Sequence, residues 1–152
     1  MSGRPRALPG IPCTCGTLRR AARAVTQVYD HYLRPTGVRP TQMAVLAALA
    51  ELGEATPRTL GEMLVLEKTT LTRELKGLGH RRWVRIDRNP ADGRERPVRL
   101  TPKGRRQVSR AIPAWKVIQA RITRALGRDW NRFHAILDRV ARAAVQLNGE
   151  AP

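Results

Sequence analysis

Acidic residues are scarce in this chain. Its 152 residues hold 12 Asp and Glu against 29 Lys and Arg, a formal charge of +17, so counterion release draws the molecule to polyanions and makes nucleic acid the leading partner. Aromatic residues are scarce too, at 4%, which argues against a sheet that stacks RNA bases on aromatic rings. The only two cysteines, Cys13 and Cys15, are separated by one residue, whereas a structural zinc site wants four ligands in spaced pairs. His31, His80 and His134 stand in unrelated contexts, without a second His or carboxylate at metal spacing, and no Ser or Cys sits in a nucleophile motif. The expectation is therefore no enzyme, no metal and no cofactor. No apolar run reaches 18 residues and the N-terminus "MSGRPRALPGIPCTCG" lacks the apolar core of a signal peptide, so the expected setting is cytoplasmic with no membrane partner.

What the chain does have is 41% hydrophobic content, enough for one domain with a real core or for a subunit that completes its core by dimerising. The apolar residues follow helical spacing at both ends. After a Pro- and Gly-rich leader over 1–15, Leu18, Ala22, Val25, Tyr29 and Tyr32 or Leu33 form one stripe, which Pro35 and Gly37 end. "TQMAVLAALAELG" is apolar nearly all round through Met43, Leu46, Leu49 and Ala50, with Thr41 expected as its N-cap and Gly53 past its end. Thr56 and Pro57 read as N-cap and first-turn proline of a short helix containing Leu60, Met63 and Leu64, and a tight turn through Val65 and Leu66 leads to another. Two short helices so joined are a helix-turn-helix.

The second of those helices, in "EKTTLTRELKGLGHRRW", places Leu71, Leu75 and Leu78 on one face at i, i+4 and i+7. Thr69, Arg73 and Lys76 fall opposite, with Thr72 beside them. An ordinary solvated helix mixes Glu with Lys on its outer face. Hydroxyls and cations alone suit phosphate oxygens and base edges, because Arg pairs with two guanine acceptors while Thr donates to phosphate or touches a thymine methyl. The plainer reading is a basic amphipathic helix with no partner.

Beyond it the period turns to alternation. "RWVRIDR" puts Val84 and Ile86 on one side of a strand, "NPADG" supplies turn formers, and "RERPVRL" returns with Val98 and Leu100 on one face. Pro97 cannot donate to a ladder and must sit toward solvent or in a bulge. From Arg81 to Arg110 there are eleven Lys or Arg against Asp87, Asp92 and Glu95, about half the net charge. A positive hairpin directly after a helix-turn-helix reads as a wing.

The stretch "GHRRWVRIDRNPADGRERPVRLTPKG", with Asp92, Arg94 and Leu100-Thr101-Pro102-Lys103-Gly104, and the preceding T-x-L-T-R at residues 69–73 resemble the multiple-antibiotic-resistance (MarR) type of winged-helix regulator over roughly residues 16–148. The sequence departs from that pattern at Glu67, where a short N-cap such as Asp or Ser is usual, and at Pro113, which implies a kink in the helix after the wing. The resemblance implies a mostly α fold with a small β-hairpin wing: an N-terminal dimerisation helix over 16–36, a winged helix-turn-helix core over 37–101 and C-terminal dimerisation helices over 102–148, a single intertwined domain. It assigns base-edge or phosphate contacts to Lys68, Thr69, Thr70, Thr72, Arg73 and Lys76, and a minor-groove contact to Arg94 braced by Asp92. Alternation lets only one of Arg96 and Arg99 join them, and Arg96 is the one taken.

Past the wing, Val108, Ile112, Trp115, Ile118 and Ile122 keep helical spacing, as do Trp130, Phe133, Leu137, Val140, Ala144 and Leu147. Apolar stripes on three terminal helices suggest two subunits sharing one core, against an intramolecular three-helix cap. A homodimer with recognition helices about 34–36 Å apart reads inverted repeats in a double-stranded operator. The resemblance further implies repression relieved by a small aromatic or phenolic effector. Tyr29, Tyr32, Met43 and Trp115 are candidates to line its pocket, and Arg20 or Arg23 to meet a carboxylate, with plain core packing as the other reading of each. Two alternatives stay open. Cys13 and Cys15, at the head of the first helix near Arg19 and Arg20, feel a positive potential that favours oxidation, which makes a thiol-based redox switch of the same fold; they also read as small packing residues. The charge alone fits a sequence-tolerant architectural protein of nucleic acid.

Overall fold

A computed structural model of the chain describes residues 13–87 and 96–149. The helical periodicities become α1 (Thr14–Leu33), α2 (Pro40–Leu52), α3 (Pro57–Leu64), α4 (Lys68–His80), α5 (Pro102–Leu126) and α6 (Trp130–Gly149), with short 3-10 turns at Arg34–Thr36 and Gly127–Asp129. Three short strands, β1 (Glu54–Ala55), β2 (Val84–Ile86) and β3 (Val98–Leu100), form an antiparallel sheet in the order β1-β3-β2. The hairpin was expected; β1 was not. Its two residues pair Glu54 with Arg99 and Ala55 with Val98, too short a run for alternation to reveal. The fold is mostly helical with a small winged sheet. No helix among the described residues is long and apolar enough to cross a membrane.

The chain divides into two compact units, one reaching Trp115 and the other starting at Lys116. In the first, α2 is the central element, as its all-round apolar sequence requires: Met43, Val45, Leu46, Ala48 and Leu49 are buried, though Ala50 faces solvent. Around them pack Leu33 and Val38, Leu60 of α3, Leu71, Leu75 and Leu78 of α4, Trp83, Val84, Val98 and Leu100 of the sheet, and Val108 and Ala111 of α5. One local expectation is corrected. The α2 N-cap is Arg39, with Pro40 in the first turn, rather than Thr41, because the proline ring pre-sets a helical φ two residues earlier and the Gln42 side chain accepts the Arg39 backbone N–H at 3.2 Å. Ile86 is 45% exposed and does not share the burial of Val84, since β2 is only three residues long and its far end leads into the wing. Pro97 stands just before β3 and contributes only its carbonyl, which accepts the Asp87 N–H at 2.9 Å.

The cap of α3 follows the sequence, and α5 is capped in the same way. Thr56 Oγ1 accepts the Thr59 N–H at 3.1 Å, and Thr101 Oγ1 accepts that of Gly104 at 3.0 Å. Helix α5 continues through Pro113. In the second unit no residue of α6 is buried, and Phe133, Ile136, Val145 and Leu147 remain exposed. Near its start the His134 ring meets the edges of Trp130 and Phe133, with centroids 4.2 and 5.4 Å away.

Candidate nucleic-acid interface

Helix α4 separates its chemistry cleanly by face. Leu71, Leu75 and Leu78 are buried in the core, while Lys68, Thr69, Thr72, Arg73 and Lys76 are exposed and Thr70 is half-buried at the boundary. The exposed set contains no acid, and none of its cations makes an ion pair among the described residues, so its charge is available to a ligand. Thr72 differs from the expectation for a hydroxyl donor. Its Oγ1 already donates to the Lys68 carbonyl at 2.7 Å, leaving the methyl group and the oxygen lone pairs for a partner. Glu67 precedes the helix without a capping side-chain bond, in keeping with its departure from a short cap.

The α4 helix is entered and left through left-handed residues that carry side chains. Val65, between α3 and α4, has φ 49°, and Arg82, between α4 and β2, has φ 58°. Both lie where glycine is at ease and an L-residue is strained.

In the wing, Asp92 and Arg94 lie outside the described residues. Of the two arginines on the returning strand, Arg99 is held by ion pairs with Glu54 and with Asp87, whose other oxygen lies 3.1 Å from Arg85. Arg96 is exposed and forms no such bond with a described residue. The sheet therefore neutralises Arg99, while Arg96 has no ion pair among the described residues.

Met43 is part of the core, and Tyr29 and Trp115 are half-buried against it. Burial raises the Tyr29 phenol above its ordinary pKa. Tyr32 packs edge-on to His31 at 5.6 Å, Arg20 is half-buried and Arg23 is exposed. Cys13 and Cys15 are exposed free thiols, and Cys13 Sγ caps α1 by accepting the Gly16 N–H at 3.4 Å.

Four polar residues escaped the sequence reading. Glu74 points inward from α4, nearly buried, and accepts a 2.9 Å bond from Arg39. Arg81 donates to the Gly37 carbonyl at 2.7 Å and lies 4.8 Å over the Trp83 ring. Gln42 and Gln107 are buried, the latter donating to the Thr36 carbonyl. One signal was present. Glu74 falls between Leu71 and Leu78 on the inward stripe, where a carboxylate needs a partner.

A model described as the MarR family matches residues 36–95, from the turn after α1 through α2, α3, α4 and β2 and ending before β3. The chain is 37% identical to the transcriptional regulator MosR of M. tuberculosis, solved in complex with DNA, with a TM-score of 0.83, covering 90% of this chain and 98% of that one. It belongs to the MarR family. Its members in these comparisons are transcriptional regulators, not enzymes. The PcaV regulator of Streptomyces coelicolor, solved with its natural ligand, is 26% identical with a TM-score of 0.79, covering 90% of this chain and 99% of that one. The multiple antibiotic resistance protein MarR of Salmonella typhimurium is 35% identical over 78 residues, 51% of this chain and 54% of that one. The chain spans between 54% and 65% of the curated relatives it matches.

Proposed function

We propose that this protein is a sequence-specific double-stranded DNA-binding regulator, a repressor acting as a homodimer on inverted-repeat operators and released by a small aromatic or phenolic effector. The observation that carries the reading is the acid-free exposed face of α4, presented by a helix whose other face is locked into the core. In this reading Arg73 meets base edges, Thr69, Thr70 and Thr72 contact phosphate or thymine methyls, and Lys68 and Lys76 pair with phosphates. Arg96, and by the family resemblance Arg94 with Asp92, serve the adjacent minor groove. The DNA complex of MosR supports the partner, and the ligand complex of PcaV supports an effector. Exposed apolar side chains on α1 (Val25, Val28) and α6 (Phe133, Ile136, Val145, Leu147) support a second copy as their cover.

The test is a titration of the chain's own upstream DNA and of scrambled DNA at about 150 mM salt, where a regulator keeps a preference of roughly a thousandfold or more. Equal binding would replace this reading with the architectural one. Arg73→Ala loses about 1–3 kcal/mol of specific binding and relaxes one base pair per half-site, whereas Lys76→Ala weakens all sequences evenly. Sedimentation at micromolar concentration gives a dimer; a monomer that still binds operator with full affinity would remove the dimer from the account.

Thiol control is a second reading, favoured by one observation: both cysteines are exposed at the first turn of α1. A hydroperoxide would oxidise one thiol to a sulfenic acid, and the other thiol would condense with it, expelling water. Peroxide then releases operator DNA and a thiol reductant restores binding. Release that survives Cys13→Ser, Cys15→Ser and the double substitution would end this reading and leave control to the effector.

A further inference from the structure

The connection between α1 and α2 is gripped by side chains from two other helices. Within residues 36–39, the Thr36 carbonyl accepts from Gln107 of α5, the Gly37 carbonyl accepts from Arg81 at the end of α4, and the Arg39 guanidinium donates to Glu74 in the middle of α4. The turn is also tied to the helix it leaves, because Thr36 Oγ1 donates to the Leu33 carbonyl at 2.6 Å while accepting the Val38 N–H at 3.3 Å. Leu33 itself is fully buried. A carboxylate buried on the inner face of a helix whose outer face is cationic is costly unless it is paired, and the Glu74 side chain, 6% exposed, has Arg39 as its ion-pair partner.

We infer that residues 36–39 are the seat that sets the angle of α4, with Glu74, Arg39 and Arg81 as positioning residues for DNA reading. The inference rests on α4 being the DNA-reading helix. Glu74 and Arg81 are seven residues apart, about 10 Å along a helix at its usual rise. One tie would leave α4 free to pivot on its leucines; two ties that far apart, to one short turn, hold both its tilt and its rotation. The same turn is the exit of α1. A displacement of the α1 end therefore reaches the recognition face through Gly37–Arg81 and Arg39–Glu74 without crossing the whole apolar core.

The experiment uses the full chain, a duplex that the wild type selects from a randomised pool, and a scrambled version of that duplex. Glu74→Gln keeps the side-chain shape and makes the protein more positive, so a bulk charge effect would strengthen binding to both duplexes. The seat predicts the opposite for the selected one: affinity falls about tenfold while binding to the scrambled duplex does not fall. Arg39→Ala reduces the ratio between the two duplexes by a similar factor, and Arg39→Lys, which keeps the charge and an N–H donor group, restores most of it. If neither Glu74→Gln nor Arg39→Ala narrows that ratio, or Arg39→Lys fails to restore it, the seat is refuted. Should Glu74→Gln fail to fold, Arg39→Ala, at a side chain 62% exposed, decides alone. Arg73→Ala separates the two levels: if it binds the selected duplex like wild type, the assignment of α4 has failed, whereas loss with Arg73→Ala and none with the seat variants refutes the seat only.

Discussion

Gly104→Ala is the substitution whose consequence the structure defines most sharply. A Cβ built on Gly104 lies 1.9 Å from the Trp83 carbonyl oxygen and 2.8 Å from its carbon. Carbon and oxygen settle at roughly 3.3 Å even in close C–H···O contacts, so the backbone at residue 83 must retreat by more than about 1 Å. It is poorly placed to do so. The Trp83 carbonyl accepts the Thr101 N–H at 3.0 Å and lies 3.2 Å from Thr101 Oγ1, its N–H donates to the Leu78 carbonyl at 3.0 Å, and its side chain is buried. Overpacking of this kind costs about 1–3 kcal/mol, loosening the Thr101 bonds adds about 1 kcal/mol, and the better helix propensity of alanine returns at most about 1 kcal/mol. The net loss is roughly 1–3 kcal/mol, a fall in Tm on the order of 3–10 °C for a chain of this size. Thermal and urea unfolding at equal protein concentrations measure it, since association shifts Tm. Gly79→Ala is the internal control: a Cβ there meets nothing within 4 Å, so the same change gains up to about 1 kcal/mol. If Gly104→Ala melts with the wild type, the close approach of α5 to the start of β2 is not what selects glycine at 104.

The left-handed residues flanking α4 give the reverse expectation: Val65→Gly and Arg82→Gly relieve strain of about 1–2 kcal/mol each, less the entropic penalty of glycine, and both variants melt at or above the wild-type temperature. A clear fall in Tm for both would show that their side chains matter more than their backbone. Because the Tyr29 phenol is raised by burial, its contribution to stability is intact below the ordinary tyrosine pKa of about 10 and is lost as pH rises through the raised folded value. Tyr29→Phe therefore flattens the alkaline limb of the stability profile, and an unchanged limb would place the titrating group elsewhere. Asp87→Asn removes the carboxylate shared by Arg85 and Arg99, frees wing cations and raises affinity for scrambled DNA at low salt; unaltered binding would mean that those arginines do not face the duplex.

Much of the fold was legible because it rests on short-range rules. The leucines of α4, the Thr56-Pro57 start of α3, the all-round apolar α2 and the alternation of Val98 with Leu100 each state a local preference that the core then satisfies. The α2 start was misread by two residues because proline and Gln42 together overrode a threonine cap. β1 was missed because two residues carry no period, and Ile86 stands on the side that alternation gave it but is exposed, because alternation does not say how far the core extends.

For the proposed interface, the sequence by itself determined the content of the recognition face: which side chains are cationic, that no acid stands among them, and that leucines at helical spacing turn them outward. Those are properties of composition and of a 3.6-residue period, and no distant contact is needed to establish them. Only the tertiary structure decided which charges stay available. Alternation separates Arg99 from Arg96 but does not say which is paired; Arg99 is neutralised by Glu54, 45 positions earlier, and by Asp87 across the hairpin, while Arg96 has no ion pair among the described residues. Glu74 and Arg39 are separated by 35 positions and Arg81 and Gly37 by 44, so the ties that orient α4 exist only once the chain has closed around α2. Local preference governs what a segment is, and pairing across such separations, whose loop-closure entropy no local pattern records, governs where it points.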